Sequence, residues 1–199
     1  MTVVGFEEDA RGVARVTLAR AEKRNAMSGE MIAELAEVAA RIAGSASVRV
    51  VVLAAKGDVF CAGGDLNWMR AQRDADAETR RREATALAMM LKSLNDLDVP
   101  VIARVQGDAF GGGVGLMSIC DVVVAVEGAK FGLTETRLGL IPATIGPYVV
   151  ARMGAARARR VFYSSRVFEV GEAVDLGLVS RVVPVGDLYA AVEREVVPY

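Results

Sequence analysis

Short runs of β-branched residues alternate with helix-like patterns along the chain. Residues 13–18 alternate between apolar and polar like a half-buried strand, and residues 48–53 and 101–105 are almost entirely apolar, as in buried parallel strands. Residues 122–126 and, more weakly, 179–183 show similar runs. Strands that alternate with helices predict an α/β fold with crossover connections. The 199 residues suffice for one such domain with its own core.

Helical periodicity fills the intervals between these strands. Ser28 is placed to cap a helix that runs to about Ile42 and ends at Gly44. A second helical region, with an interruption, is predicted from Leu66 to about Leu97. Its stretch Arg70–Glu83 carries 9 charges in 14 residues, which favours a solvated face over a mobile lid beside a site. Two later helices are predicted at 154–165 and 186–197.

The sequence contains no histidine, which excludes Ser-His-Asp and Cys-His catalysis and His-ligated metal sites within the chain. Lys and Arg number 24 against 25 Asp and Glu, so no global charge favours nucleic acid or an anionic membrane. Cys61 and Cys120 are too few for a zinc cluster or a disulfide framework. The longest uncharged stretch, 138–151, is too short to span a bilayer. We therefore expect a metal-free cytoplasmic protein that acts on a small molecule.

Two glycine-rich loops, Phe60–Met69 and Gly107–Gly115, each follow a predicted strand and open a predicted helix. Glycine lets a ligand approach the backbone, and the free N–H groups of a helix N-terminus favour a negative atom. If the loops face each other, each can donate one N–H to a single oxygen, as in an oxyanion hole. For either loop alone, tight packing of loop against helix is the alternative. Neither loop matches a P-loop or a dinucleotide-binding fingerprint.

An oxyanion hole needs a proton-transfer partner, and a carboxylate is the obvious choice without histidine. Asp65 occupies a helix-cap position, Asp108 lies in a turn, and Asp121 precedes a strand, so local structural roles are expected for all three. Glu135 lies in the mostly apolar segment 131–142. Apolar surroundings would raise its pKa towards a useful range, whereas an ion pair with Arg137 is the alternative.

Together, the two loops and Glu135 resemble the enoyl-CoA hydratase/isomerase (crotonase) superfamily over residues 13 to about 184. The resembling segments are 24–27, 60–66, 111–116 and 131–142. The resemblance implies an α/β ββα-spiral in a single core domain, 1–199, with the spiral reaching about 185 and a C-terminal helical region beginning at about 186. Family members usually continue into further helices, so most of that region is expected to be missing. The resemblance also implies a homotrimer or hexamer.

The resemblance further implies the residues of the site. The N–H groups of Ala62 and Gly112 would bind the oxygen of a CoA thioester, with Glu135 as the acid/base. The substrate and its CoA would lie against Lys23, Arg24, Ala26, Phe60, Ala62, Gly63, Gly64, Asp65, Leu66, Gly112 and Gly115. Coenzyme A would be part of the substrate, and no cofactor, metal, nucleic acid or membrane partner is expected.

Residue 115 departs from the pattern of the superfamily, because hydratases with two glutamates carry the first of them there. We therefore expect Glu135 to act alone and Gly115 to leave room for substrate or water. Segments 65–69, 105–107 and 140–143 most resemble the methylglutaconyl-CoA hydratase branch of leucine catabolism.

Three alternative activities remain open. A single glutamate also resembles the Δ3,Δ2-enoyl-CoA isomerases, and decarboxylation of a malonyl-type thioester would use the same oxyanion hole. An inactive, scaffold or RNA-binding relative is a further alternative, for which Arg157, Arg159 and Arg160 form a local basic cluster.

Cys61 could be a reactive thiol, although a small buried residue is the simpler interpretation.

Overall fold

The structure is a computed structural model that describes residues 2–199. Its strands, in chain order, are β1 (Val4–Glu8), β2 (Val13–Leu18), β3 (Val50–Ala55), β4 (Val59–Cys61), β5 (Val101–Val105), β6 (Asp108–Phe110), β7 (Val122–Val126), β8 (Lys130–Gly132), β9 (Val167–Glu169) and β10 (Arg181–Val183). Its α-helices are α1 (Gly29–Ala43), α2 (Leu66–Asp74), α3 (Ala77–Asn95), α4 (Gly112–Ser118), α5 (Gly146–Met153), α6 (Ala155–Phe162), α7 (Val170–Asp175) and α8 (Leu188–Val196).

The larger sheet has six strands in the order β1-β2-β3-β5-β7-β10. β1 and β2 form an antiparallel hairpin, and the other neighbours are parallel, with Val13 opposite Val50, and Val51 opposite Val101. Every residue of β3 is buried, as expected for a strand covered on both faces. All five strands of this sheet predicted from the sequence are present, although the one predicted at 48–53 lies two residues later.

The smaller sheet has the order β4-β6-β8-β9, and its first three strands are parallel. Each of these three follows directly on a strand of the larger sheet and is followed by a helical segment. The repeated unit is thus two strands and a helix, with one strand contributed to each sheet. Because β4, β6 and β8 run parallel, the segments after Cys61, Phe110 and Gly132 leave the sheet at the same edge.

The helix predicted after Ser28 is confirmed as α1. The Ser28 hydroxyl accepts a hydrogen bond from the N–H of Met31 at 3.3 Å, and Gly44 forms the C-cap. The predicted interruption of the second helical region lies between α2 and α3, where Asp76 caps α3. α2 buries none of its residues, in agreement with the solvated interpretation of this charged stretch.

α5 was not anticipated from the sequence. α5 begins within the uncharged stretch 138–151, and Pro147 occupies its first turn, a position that proline tolerates. The helices predicted at 154–165 and 186–197 are confirmed as α6 and α8. α8 packs against β5 and β7 and buries Leu188 and Val192. The predicted division of the domain near 185 stays a prediction. None of the helices within residues 2–199 combines the length and the apolar character needed to cross a membrane.

Candidate active site

Three segments meet at the edge where β4, β6 and β8 end. A Cβ atom built on Gly111 would lie 3.0 Å from Oε1 of Glu135 and 3.8 Å from the Cα of Gly63. The two glycine loops therefore contact each other, and the Glu135 carboxylate lies against their point of contact. This juxtaposition was predicted from the sequence.

The glycines of these loops allow a backbone approach that other residues would prevent. Gly63 and Gly111 have φ angles of +94° and +48°, which L side chains rarely adopt. A Cβ on Gly113 would lie 2.7 Å from the carbonyl oxygen of Cys61. The sequence left two interpretations open for these loops, close packing and backbone donors for a ligand. The close packing is present, and it does not exclude the donors.

Residues 62–65 pair with residues 24–27 like an additional parallel strand. The N–H of Ala62 donates to the carbonyl oxygen of Arg24 at 3.0 Å. The N–H of Met27 donates to the Gly63 carbonyl at 2.7 Å, and the N–H of Asp65 donates to the Met27 carbonyl at 2.8 Å. Because its N–H is already bonded, the prediction that Ala62 binds a thioester oxygen is wrong.

The N–H of Gly64 is an available donor in the first loop. The peptide group that joins Gly63 to Gly64 is planar and trans, so its C=O and N–H point in opposite directions. Since this C=O accepts from Met27, the N–H points away from Met27, and no acceptor within residues 2–199 meets it. Within this loop, the sequence-based prediction named a peptide group whose N–H is already bonded.

The second loop provides its donor at the start of α4. The helix begins with a hydrogen bond from the N–H of Gly115 to the carbonyl of Gly111 at 3.1 Å. The N–H of Gly112 is the first of the helix and has no acceptor in the described part of the chain. The N–H of Gly112 is therefore available as predicted.

Among the four candidate carboxylates, Glu135 is the one with a buried oxygen atom that has no hydrogen-bond donor in the described chain. Its Oε2 atom is buried and has no hydrogen-bond donor among residues 2–199, and no ion pair with Arg137 forms there. Burial raises its pKa above the ordinary glutamate value, although a backbone hydrogen bond opposes the shift. A raised pKa makes a carboxyl group a better base and therefore better suited to exchange protons with a substrate.

The other three candidate carboxylates are engaged in structure. Asp65 accepts from the N–H groups that open α2, as its cap position predicts. Asp108 accepts from the N–H of Lys130 at 2.8 Å and ties β6 to β8, and Asp121 accepts from the N–H of Val101 at 2.7 Å. Burial would raise the pKa of Asp65, but hydrogen bonds from the α2 N–H groups and Arg20 hold it below the usual range.

The predicted space beside Gly115 is filled. A Cβ on Gly115 would lie 2.4 Å from Cγ2 of Ile145, just before α5. Gly115 is itself buried. The expectation that this glycine leaves room for substrate or water, and contacts the substrate, is therefore wrong.

Of the remaining residues predicted to contact the substrate, four are accessible to a ligand and Phe60 is not. Lys23 and Arg24 are exposed and form no ion pair within the described residues, Ala26 is half-buried, and Leu66 is exposed. Phe60 is completely buried in the core and offers no surface to a ligand, so its predicted contact is wrong.

Cys61 is a small buried residue rather than a nucleophile. Burial raises the pKa of its thiol to about 11, so the thiol stays protonated at neutral pH. Within the basic cluster of α6, Arg160 pairs with Glu172 at 3.1 Å.

Two residues that support the site were not found from the sequence. Arg20 forms an ion pair with Asp65, with 3.1 Å between Nη2 and Oδ2. Asn25 is fully buried, and its side-chain amide donates to the carbonyls of Lys56 and Val59, both at 2.8 Å. The one signal for Asn25 is its residue type, because asparagine tolerates the left-handed conformation, here φ +52°.

Comparison with known proteins gives a consistent result. The enoyl-CoA hydratase/isomerase family model matches residues 8–196. Bacillus subtilis YngF is 35% identical over 185 residues, which cover 92% of this chain and 70% of YngF.

Solved structures confirm the predicted α/β, crotonase-like fold. Enoyl-CoA hydratase from Mycobacterium smegmatis is 35% identical, with a TM-score of 0.93 over 98% of this chain and 76% of that one. Pseudomonas aeruginosa AtuE is 38% identical, with a TM-score of 0.93 over 98% of this chain and 75% of that one. The chain therefore belongs to the enoyl-CoA hydratase/isomerase family.

Proposed function

We propose that the chain hydrates a 2-enoyl-CoA, with Glu135 as its single acid/base. One observation carries this proposal: a buried, unpartnered Glu135 carboxylate oxygen lies where the two glycine loops present the unpaired N–H groups of Gly64 and Gly112. Two donors and one carboxylate are the groups that an enolate-forming reaction requires.

In the proposed reaction, the thioester oxygen accepts hydrogen bonds from Gly64 and Gly112. The Glu135 carboxylate removes a proton from water, and the water oxygen bonds to C3 as the C2=C3 electron pair moves to give a thioester enolate. The protonated Glu135 then delivers its proton to C2, which restores the carboxylate. The sum is the addition of one water molecule, and the raised pKa of Glu135 suits both steps.

The exposed cations Lys23 and Arg24 support a place for the phosphates of CoA. Arg24 is linked to the first donor loop through its own carbonyl, which accepts from Ala62. Phosphates bound there would lie close to the loop that holds the thioester oxygen. No cofactor other than the CoA of the substrate enters the proposal.

For the acyl group, the proposed substrate is 3-methylglutaconyl-CoA or a related branched thioester. Its support is the resemblance of segments 65–69, 105–107 and 140–143 to the methylglutaconyl-CoA hydratase branch.

Isomerisation of a 3-enoyl-CoA is the second candidate, and the lone carboxylate favours it. Glu135 alone could move a proton from C2 to C4 without water. The unpaired donors and Glu135 argue against the third candidate, a scaffold or RNA-binding relative, because such a role needs none of them.

Incubation of 3-methylglutaconyl-CoA and a 3-enoyl-CoA with the protein in D₂O, followed by mass spectrometry, tests the proposal. Addition of D₂O to the first substrate supports hydration. Deuterium uptake with double-bond migration and no water addition supports the isomerase instead. No change in either substrate contradicts both activities. Glu135→Gln is the control, and it should slow whichever conversion occurs by about 10²–10⁴-fold.

A cytoplasmic location stays a prediction, and so does a homotrimer or hexamer. The oligomer is supported by an apolar groove of about 420 Å³ between α5 and α6, where Ile141 and Tyr163 are exposed by 73% and 78%. Light scattering after size-exclusion chromatography would measure the number of subunits.

A further inference from the structure

The Gly64 donor depends on a short ladder between residues 24–27 and 62–65. Its orientation is set by the hydrogen bond from Met27 to the other end of the same peptide group. Met27 must therefore be held in place for Gly64 to point correctly.

The Arg20 side chain bridges the two sides of this ladder. Its Nη1 donates to the carbonyl oxygen of Ala26 at 2.9 Å, and its Nη2 donates to Oδ2 of Asp65 at 3.1 Å. Ala26 immediately precedes Met27, and Asp65 immediately follows Gly64. One guanidinium group thus holds both the residue before Met27 and the residue after Gly64.

We propose that Arg20 is a positioning residue for the reaction, which acts through Asp65 and Ala26 to fix the direction of the Gly64 N–H. This inference rests on the proposed function, because it assumes that Gly64 binds the thioester oxygen. Arg20 itself touches neither substrate nor reacting atoms.

Partial burial makes this bridge more than a surface ion pair. The Arg20 and Asp65 side chains are only 16% and 13% exposed, so solvent screens them weakly. Arginine is required because its planar fork presents two donors at fixed separation, whereas the single ammonium of lysine cannot hold both acceptors in the same geometry. Asp65 also uses Oδ1 to cap α2, so only Oδ2 is directed to Arg20.

Arg20→Lys is the direct test, measured as kcat and KM for the enoyl-CoA substrate. Loss of a whole oxyanion donor costs about 10²–10³ in kcat, so a misdirected donor should cost about 10-fold or more, with little change in KM. Asp65→Asn should act in the same direction while keeping an oxygen for the α2 cap. If the two residues act through one contact, the double variant should lose little more than the worse single variant.

A spectroscopic measurement separates positioning from general destabilisation. Hydrogen bonds to the thioester carbonyl polarise a conjugated cinnamoyl thioester of CoA and shift its absorption to longer wavelength. The wild-type protein should produce this shift, and folded Arg20→Lys should produce a smaller one. Arg181→Lys is the matched control, because Arg181 forms an ion pair with Glu195 at 2.9 Å between β10 and α8. It should change the melting temperature alone.

The outcomes distinguish the inference from the function on which it depends. A wild-type shift that persists undiminished in Arg20→Lys, with kcat unchanged, overturns the positioning role and leaves the proposed function intact. The absence of both turnover and spectral shift in the wild-type protein overturns the proposed function and this inference with it. A reduced shift together with a reduced kcat supports both.

Discussion

Ile145 occupies the space beside Gly115: the ideal Cβ position of residue 115 lies 2.4 Å from Cγ2 and 2.8 Å from Cβ of Ile145. A side chain at residue 115 and the present conformation of Ile145 therefore exclude each other. The packing of α4 against the start of α5 therefore requires glycine at residue 115.

The first prediction concerns this contact. Gly115→Ala should destabilise the protein by about 1–3 kcal/mol, the usual cost of overpacking a core. Ile145→Ala in the same chain should recover part of that loss, because the two changes share one space. Denaturant unfolding of both single variants and the double variant measures the coupling. Strictly additive effects would contradict the interlocked packing.

The second prediction concerns the stability cost of Glu135. Its folded-state pKa is raised by burial, so the wild-type protein is most stable below the unfolded-state pKa and loses stability as pH rises through the folded-state pKa. Glu135→Gln removes this loss. The variant should melt at a higher temperature than the wild type above that pKa, and the difference should shrink as the pH falls from there towards about 4.3, the ordinary glutamate value. The same difference in melting temperature between variant and wild type at every pH would contradict a buried carboxyl group that titrates.

The third prediction concerns activity as a function of pH. Hydration requires the Glu135 carboxylate as a base, so kcat/KM should fall as the pH drops through its raised pKa. The midpoint of this acid limb should lie above about 4.3. In Glu135→Gln, kcat should fall by about 10²–10⁴-fold and the acid limb should disappear. An acid limb that survives in this variant would assign it to another group.

The fourth prediction concerns the exposed cations beside the first loop. Lys23→Gln and Arg24→Gln should raise KM with little effect on kcat, because phosphate contacts of CoA bind substrate and transition state alike. The wild-type KM should also rise with salt, since exposed charges are screened. Arg181→Gln serves as the control and should leave KM unchanged. If all three variants kept the wild-type KM, this result would argue against CoA phosphates at this place.

Local patterns in the sequence were sufficient for much of the fold. The cap at Ser28 and the spacing of apolar residues after it predicted α1 almost to the residue, because a helix is set by neighbours three and four positions apart. The runs of valine predicted the parallel strands of the larger sheet. The three-residue strands such as β4 and β6 were missed, since they are too short to show a period.

The sequence by itself determined which segments build the candidate site. Two glycine loops after buried strands and one carboxylate in an apolar segment were recognisable from residue type and order alone. Their meeting was implied by the family resemblance, since the strands that bring them to a common edge, β4, β6 and β8, were not predicted from the residue pattern.

Only the tertiary structure decided which groups are free to act. The N–H of Ala62 is bonded and that of Gly64 is not, because residues 62–65 pair with a segment almost forty positions earlier. The space at Gly115 is filled by Ile145, thirty positions later. Hydrogen-bond partners and neighbours across such distances depend on how separate elements pack, and no local pattern of residues records them.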